Sequence, residues 1–360
     1  MSIVLTLLVF TIIVVIHEWG HFMMARRQGI FVEEFAVGMG PAIWKHETKR
    51  KLVVSVRLLP IGGFCRMKGE EAEEGALPEP DSFNAKTPGQ RALVAAAGPA
   101  MNFVLAFALL IIFNSIYGYA DTKIEGVEPD YPAMQAGLEA GDRVLELNGE
   151  RIHVYNKISF LLMDYQEGDE VELIVEKPDG REQTLRFQLK LDEEQQRYRM
   201  GFTVGKAESL GKEIAEEGFF SALWRLICQS FWSLWYQVEI TIRSLAMLVT
   251  GKLGLDAVAG PIGMVSVVGS AYEAAASYGF MAVLSSLSSL MVLLSANLGV
   301  LNLFPIPGLD GSRIAFMALE KIRRKPMNPK LENTIYLVGF VLLFGLMIVV
   351  ALNDVLRIFQ

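Results

Sequence analysis

Long uninterrupted apolar runs dominate the hydrophobic pattern of the chain. A helix that crosses the hydrocarbon core of a bilayer needs about 20 consecutive, mostly apolar residues. Four runs reach or approach that length: Ile3–Ala25, Ala92–Tyr117, roughly Ala282–Leu303, and Ile335–Leu352. The pattern therefore predicts a polytopic α-helical membrane protein with four transmembrane helices.

A further apolar run, Phe219–Thr250, differs from these spans because polar side chains recur along it at helical spacing. Arg225 and Gln229 belong to this polar stripe, whereas Trp224 and Trp232 suit the boundary between lipid and water. We expect an amphipathic helix that lies on the outer membrane surface, and not a fifth span.

Residues 122–205 have short alternating segments in place of long apolar runs. The pattern predicts a strand, a short helix at Ala133–Ala140, a second strand and a helical stretch near Tyr155–Tyr165. Two alternating strands, Glu170–Lys177 and Gln183–Leu189, follow and are joined by a Pro-Asp-Gly turn. An α+β domain is therefore inserted into the membrane protein.

This insert resembles a PDZ domain of the bacterial, circularly permuted kind. The likeness is carried by Ala136-Gly137-Leu138 and by Gly141-Asp142-Arg143-Val144-Leu145. PDZ domains bind extended peptide ends by adding a strand to an exposed sheet edge, so a peptide C-terminus is a candidate ligand. The alternative, a small β-rich domain without a ligand, stays open.

Composition supports the membrane assignment and excludes several other classes. The chain is 52% hydrophobic and 20% charged, whereas soluble domains carry about 25% charged residues. A formal charge of −7 excludes a nucleic-acid binder that relies on bulk positive charge. The two cysteines, Cys65 and Cys228, cannot build a disulfide framework or a Cys-based zinc site.

The distribution of charge predicts the orientation of the spans. No Lys or Arg precedes the first apolar run, and Arg26-Arg27 follow it directly. Residues 26–91 contain 11 basic residues, whereas residues 119–281 contain 15 basic and 26 acidic ones. By the positive-inside rule, the N-terminus is outside, and the insert is extracytoplasmic. We expect a multi-pass membrane protein in contact with the lipid bilayer.

A metal-binding pattern lies inside the first predicted span. In His17-Glu18-Trp19-Gly20-His21, the two histidines are four residues apart and so lie on one face of a helix. Glu18 stands beside them, which is the His-Glu-x-x-His arrangement of zinc hydrolases. Ionisable residues within a span are costly and mark functional sites by default. The alternative is a polar hydrogen-bond network between helices.

Two histidines leave zinc short of ligands, and a third must come from elsewhere. His46 lies in a charged cytoplasmic stretch, and His153 lies in the extracytoplasmic insert. The candidate is Asp310, at the cytoplasmic end of the third span and on the same side as His21 if residues 219–250 do not cross. A turn or a helix cap is the other explanation for this Asp-Gly pair.

These residues give the chain a resemblance to the site-2 intramembrane zinc metalloproteases, specifically the bacterial regulator-of-sigma-E protease group. The resemblance covers nearly the whole chain. Its motifs are His17–His21 with Ala25-Arg26-Arg27, Phe35–Pro41, Pro60–Phe64, Ala97–Asn102, a single PDZ domain, Gly260–Gly263 and Asn297–Gly311. The chain departs from the usual pattern at Ser312, where the family has glycine, and at Gly308, which is more often aliphatic.

The resemblance implies a location in the bacterial cytoplasmic membrane. It also implies specific roles for residues of this chain. His17, His21 and Asp310 hold Zn²⁺, and Glu18 is the catalytic base. Further residues shape the site and help to hold substrate: Asn297, Asn302, Pro305 and Pro307.

The pattern of Lys51–Leu59 predicts a strand. Together with the resemblance, it suggests that unwound substrate pairs with an open edge of this strand. Val54 and Val56 are then substrate-binding residues. The alternative is a hairpin that only plugs the mouth of the site.

The predicted organisation has four parts. Residues 1–118 form the first half of the protease core, with a cytoplasmic membrane-associated β-region at about 31–70. Residues 119–206 form the PDZ domain, 207–281 an amphipathic membrane-surface region, and 282–360 the second half of the core.

The predicted function is a zinc-dependent intramembrane endopeptidase. The expected substrates are single-span proteins, such as anti-sigma factors and remnant signal peptides, after a first cut by another protease. In that case the PDZ domain acts either as a size filter or as a tether for the new C-terminus. A proteolytically silent PDZ membrane adaptor is the alternative; a metal transporter is disfavoured because the polar residues cluster at one end of the bilayer.

Overall fold

The computed structural model describes residues 1–70, 79–129, 131–166, 168–192, 197–206, 209–254, 259–325 and 327–358. The helices are α1 Ser2–Arg27, α2 Pro88–Tyr117, α3 Pro132–Gln135, α4 Tyr155–Leu161, α5 Leu210–Glu217, α6 Phe219–Val249, α7 Pro261–Ala276, α8 Phe280–Leu303, α9 Asp310–Arg323 and α10 Pro329–Ile358. The strands are β1 Val32–Glu47, β2 Val53–Met67, β3 Ala120–Val127, β4 Arg143–Leu147, β5 Glu150–Arg151, β6 Glu170–Glu176, β7 Glu182–Gln188, β8 Lys190–Asp192, β9 Arg197–Arg199 and β10 Phe202–Lys206.

The predicted spans all form helices. Within the described residues, four helices are long and apolar enough to cross a membrane: α1, α2, α8 and the Lys330–Arg357 portion of α10. The last helix is longer than its predicted span because polar residues at both of its ends are also helical. Helix α6 is not among the four, in agreement with its polar stripe.

The chain divides into two compact units, residues 1–109 with 241–360, and residues 110–240. In the first unit, an apolar cluster of Val9, Ile13 and Leu294 joins α1 to α8. A second cluster surrounds Ala25 at the end of α1 and includes side chains of β1, β2, α2 and α9. This second cluster brings together the helices that carry His21 and Asp310.

Strands β1 and β2 bend back on themselves, so each contributes two arms to one sheet. The β1 arm Glu34–Val37 pairs with Val53–Val56 and also with Gly63–Arg66. The second β1 arm, Ala42–Glu47, pairs with Val53–Arg57. Gly38 and Gly62, with φ of +87° and +78°, lie at the bends, where side chains are rarely tolerated.

The predicted open edge at Lys51–Leu59 is wrong. Residues 53–56 are paired on both sides, by Glu34–Val37 and by Trp44–Glu47. Their backbone groups are therefore already used inside the sheet. The outermost arms are Ala42–Glu47 and Gly63–Met67, so an added strand would have to pair with one of those, and not along Val54 and Val56.

The tip of this hairpin lies beside the apolar part of α1. The Thr11 hydroxyl donates a hydrogen bond to the Pro60 carbonyl oxygen at 3.0 Å. Around this tip, large apolar side chains are exposed, namely Met39, Ile43, Trp44, Leu58 and Leu59. An exposed apolar patch of this kind, beside a membrane-spanning helix, is consistent with the predicted membrane-associated β-region.

The insert within residues 110–240 contains the predicted strands. Its sheet has the order β10-β3-β4-β6-β7, with β5 paired to β4, around a core that includes Ile124, Leu147 and Leu173. The helix predicted at Ala133–Ala140 is shorter than expected. It ends at Gln135 because Gly137 adopts φ of +94°.

The helix predicted near Tyr155–Tyr165 also differs in detail from the expectation. It consists of α4 followed by a 3₁₀ turn at Leu162–Asp164. In the same unit, the His153 ring stacks on Trp232 of α6 with ring centroids 3.7 Å apart.

Candidate metal centre

Three side chains converge where α1 meets the start of α9. The Nε2 atoms of His17 and His21 are 3.1 Å apart. Asp310 Oδ2 lies 3.1 Å from His17 Nε2 and 3.4 Å from His21 Nε2. Zinc ligand distances of about 2.0–2.1 Å in a tetrahedron separate neighbouring ligand atoms by about 3.4 Å. The separations of these atoms therefore fit a single tetrahedral metal ion.

The site is shielded from solvent, and three protein side chains supply its candidate ligand atoms. Both histidines are 7% exposed, and the Asp310 side chain is 18% exposed. Among the residues that the structure describes, His17, His21 and Asp310 are a group whose ligand atoms are all within 4.8 Å of one another. A site with three protein ligands keeps one position for water, as catalytic zinc sites do.

The start of α9 is held so that Asp310 faces the histidines. Asp310 is in the first turn of the helix, where the helix dipole stabilises a negative charge. A Cβ atom at Gly311 would lie 2.2 Å from the Phe304 carbonyl oxygen, so only glycine allows α9 to begin so close to the end of α8. Further along α9, Arg313 pairs with Glu70, and Glu320 pairs with Arg91 at 2.6 Å.

The charge state of Asp310 suits a metal ligand. Burial by itself raises the pKa of its carboxyl, but hydrogen bonds to His17 and His21 outweigh that effect and hold the pKa below its ordinary value. The group is therefore ionised at neutral pH, as a carboxylate ligand must be.

Glu18 is beside the cluster without belonging to it. The Glu18 side chain lies close to the backbone of Cys65 on β2. A Cβ atom at Gly63 would lie 3.7 Å from Glu18 Cγ, so the Gly63–Met67 arm of β2 passes beside this side chain. Sequence reasoning did not find this contact, because it joins residues 45 or more positions apart.

Helix α2 forms the wall behind the two imidazoles. A Cβ atom at Gly98 would lie 2.3 Å from His21 Nε2 and 2.8 Å from His17 Cε1. On α1, a Cβ atom at Gly20 would lie 2.3 Å from the Ala97 carbonyl oxygen. Glycine at both positions lets the helices approach closely, and so the Gly98-Pro99 motif, to which the sequence assigned no role, borders the site.

Replacing Gly98 with Ala is expected to disrupt the metal site. The new methyl group would overlap His21 Nε2, and the imidazole would have to move. We expect metal affinity at least about 10-fold weaker, by analogy with the loss of groups that orient ligands. Gly89→Ala is the matched control, because a Cβ atom at Gly89, also on α2, has nothing within 4 Å. Equal zinc affinity of the two variants, measured by equilibrium competition with a chelator, would contradict this expectation.

The other predicted site residues, Asn297, Asn302, Pro305 and Pro307, lie on α8 and in the connection from α8 to α9. Asn302, 8% exposed, lies near the end of α8, while Asn297 accepts a hydrogen bond from the Thr241 hydroxyl at 2.6 Å. Pro305 and Pro307 are in the connection from α8 to α9, and Pro307 packs against Gly339 of α10. The structure brings none of these four into the group of His17, His21 and Asp310, as far as the described residues extend.

The other two histidines of the chain, His46 and His153, lie outside the cluster. His46 stacks on Trp44 in the sheet, with ring centroids 6.0 Å apart. His153 is in the insert, against Trp232. Neither belongs to a metal-binding group within the described part of the chain.

Comparison with known proteins agrees with this site. Residues 5–346 match the family model described as Peptidase family M50. A Clostridium perfringens protein, named as a candidate zinc metalloprotease, is 34% identical and covers 99% of both chains. Proteins named zinc metalloprotease RasP are each 28% identical, over 99% of this chain, in Oceanobacillus iheyensis and Geobacillus kaustophilus. The alignments span 99% of the Oceanobacillus protein and 98% of the Geobacillus protein.

Among solved structures, the PDZ domain of the SdrC-like protein of Listeria monocytogenes covers 24% of this chain and 88% of its own, at 21% identity and a TM-score of 0.21. The assignment of the whole chain depends on the family match and on the full-length relatives. These confirm the predicted resemblance to the site-2 proteases, and the chain belongs to peptidase family M50.

Proposed function

We propose that this metalloprotease is a zinc-dependent endopeptidase that cuts peptide bonds within the transmembrane segments of single-span proteins. The observation that carries the proposal is the convergence of His17, His21 and Asp310, with Glu18 beside them. The names of the relatives support zinc as the metal. A silent adaptor would have no use for a carboxylate base next to three convergent ligands.

The roles of the residues follow from their chemistry. His17, His21 and Asp310 would hold a zinc ion, which would supply Lewis acidity to the scissile carbonyl and to an attacking water. A Glu18 carboxylate oxygen takes the proton from the attacking water and delivers it to the departing amine.

A substrate helix must unwind before it can be cut, because its backbone groups are already hydrogen-bonded to each other. We propose that the unwound segment adds to the Gly63–Met67 arm of β2. Within the described residues this arm is paired on one side, by β1. Because this arm contacts Glu18, a strand added to it would pass close to the catalytic base. This pairing takes the place of the one expected along Val54 and Val56.

The proposed topology has the N-terminus outside and α6 on the outer surface. His21 is near the end of α1, and Asp310 follows α8, so their convergence requires an even number of crossings between them. Crossing by α2 and α8, without α6, meets this condition. The active site then lies near the cytoplasmic face, and the predicted PDZ domain lies outside.

Reporter fusions test this topology. A reporter placed at Lys325 is expected to read cytoplasmic, and one placed at Asp179 is expected to read extracytoplasmic, because the flanking charges follow the positive-inside rule. Equal readings at both positions would be incompatible with the proposed arrangement.

We propose anti-sigma factors and remnant signal peptides as substrates, after a first cut by another protease. The resemblance of the chain to the site-2 proteases supports this class. For the predicted PDZ domain we propose one of two alternative roles: it excludes unshortened substrates, or it binds the new peptide C-terminus.

Removal of the metal tests the proposed activity. Purified protein in detergent is expected to cut a single-span substrate within its apolar segment, and a zinc chelator is expected to stop this cleavage. Addition of Zn²⁺ should restore it, because the ligands are part of the folded protein. Mass spectrometry of the fragments locates the cut. Binding of substrate without any cleavage, at full zinc content, would favour the adaptor.

A further inference from the structure

A buried asparagine lies against one of the two histidines of the site. Asn102 on α2 is 0% exposed, and its Nδ2 lies 3.2 Å from His17 Nδ1. Its backbone carbonyl accepts a hydrogen bond from the Ser295 hydroxyl at 2.8 Å. This bond connects Asn102 to α8 through its backbone and leaves its side-chain amide free to face the imidazole.

Coordination through Nε2 imposes a requirement on the other ring nitrogen. A neutral imidazole has one N–H, so a histidine that offers the Nε2 lone pair to a metal must carry its proton on Nδ1. That N–H is buried here and needs an acceptor. His21 has one, because its Nδ1 lies 2.8 Å from the Val94 carbonyl oxygen.

His17 has the side-chain amide of Asn102 in the corresponding place. In the orientation observed, the amide nitrogen faces His17 Nδ1, and Asn102 Oδ1 is buried without a hydrogen-bond partner among the described residues. This orientation suits a His17 whose proton is on Nε2, where Asp310 Oδ2 lies 3.1 Å away. It does not suit a His17 that binds a metal through Nε2.

The two ends of a carboxamide have nearly the same shape, so its orientation follows the hydrogen bonds it makes. Rotation of the Asn102 amide by a half-turn would exchange its oxygen and nitrogen. The oxygen would then accept the Nδ1 proton of His17. Val94 and Asn102 are eight residues apart on α2, which places two acceptors on the same helix, either side of Gly98.

We propose that Asn102 is a positioning residue for His17. When the metal is bound, its side-chain oxygen accepts the Nδ1–H of His17, sets the tautomer that presents Nε2, and fixes the ring orientation. This inference rests on the proposed function, because it takes His17 as a ligand. It assigns to the Ala97–Asn102 motif a role in which α2 supplies the acceptor for each imidazole, one from its backbone and one from a side chain.

The test compares two replacements of nearly equal size. Asn102→Leu removes the acceptor and keeps the volume, and Asn102→Asp keeps an acceptor in the same place. We expect zinc affinity, measured by equilibrium competition with a chelator, to fall about 10–100-fold in Asn102→Leu. In Asn102→Asp it should stay within about threefold of the wild type, since carboxylates serve as acceptors for ligating histidines. Ser295→Ala is the control, because it alters the contacts of Asn102 without removing the acceptor.

A purely structural role for Asn102 gives the opposite order. A buried charge costs more than a buried leucine, so the Asp variant would then be the worse of the two. The melting temperature of each zinc-free variant shows whether it is folded, and kcat and KM measured at saturating zinc separate loss of metal from loss of substrate binding. Wild-type zinc affinity in folded Asn102→Leu, or weaker affinity in Asn102→Asp than in Asn102→Leu, would overturn the proposal.

These failures are distinguishable from failure of the proposed function. If wild-type protein binds zinc and His17→Ala loses it, the ligand assignment stands whatever the Asn102 variants do. If neither wild type nor His17→Ala binds zinc, the function itself is wrong.

Discussion

Replacing Glu18 with Gln is expected to abolish peptide cleavage and to leave zinc in place. Gln has the shape of Glu but cannot take a proton from water. A positioned general base contributes about 10²–10⁴-fold to rate, so kcat should fall by about 10³-fold. Glu18 is not among the three convergent ligand atoms, and the metal content should stay at the wild-type level. Both quantities can be measured on the same purified preparation, with a single-span substrate.

The control for this change is Glu33→Gln, which is the same substitution at a half-buried residue of β1 in the same unit. It should cleave at the wild-type rate. Activity in Glu18→Gln close to that of Glu33→Gln would remove Glu18 from the mechanism. Loss of zinc together with activity would instead make Glu18 part of the metal site.

Replacing Asp310 with Ala is expected to remove the metal, and cleavage should fall to background. His17 and His21 come from one helix, and only Asp310 brings a ligand from a distant part of the chain. Two imidazoles alone leave zinc with half of the four ligands that it prefers. Elemental analysis should find about one zinc per wild-type chain and far less in the variant.

Asp81→Ala serves as the control, because Asp81 is a surface carboxylate of the same unit that pairs with Lys68 at 3.1 Å. Exposed pairs of this kind contribute about 0–1 kcal/mol, so neither zinc content nor cleavage should change. Full zinc occupancy in Asp310→Ala would show that another group is the third ligand.

Several features of this protein follow from short stretches of sequence. An apolar run of about 20 residues needs no partner to be recognised as a span, because the bilayer itself imposes that length. The spacing of His17 and His21 places them on one helix face for a purely local reason. The polar stripe of α6 and the alternating strands of the insert are local in the same sense.

The third ligand required a different argument. No spacing relates Asp310 to His21, and the sequence indicated it through the parity of membrane crossings and the family resemblance. The structure adds the reason that it reaches the site: the glycine at 311 lets α9 begin against the end of α8, and two ion pairs fix α9, Arg313 with Glu70 and Glu320 with Arg91 of α2.

The tertiary structure alone decided which strands have open edges and what surrounds the imidazoles. Alternation shows that Val53–Val56 is a strand, but not that Glu34–Val37 and Trp44–Glu47 cover both of its sides. Likewise, the sequence shows a glycine at 98 and an asparagine at 102, but not that both face the histidines of α1. The physical reason is common to both cases: side-chain periodicity reports the local backbone, whereas backbone pairing and close helix contacts depend on residues far away in the chain.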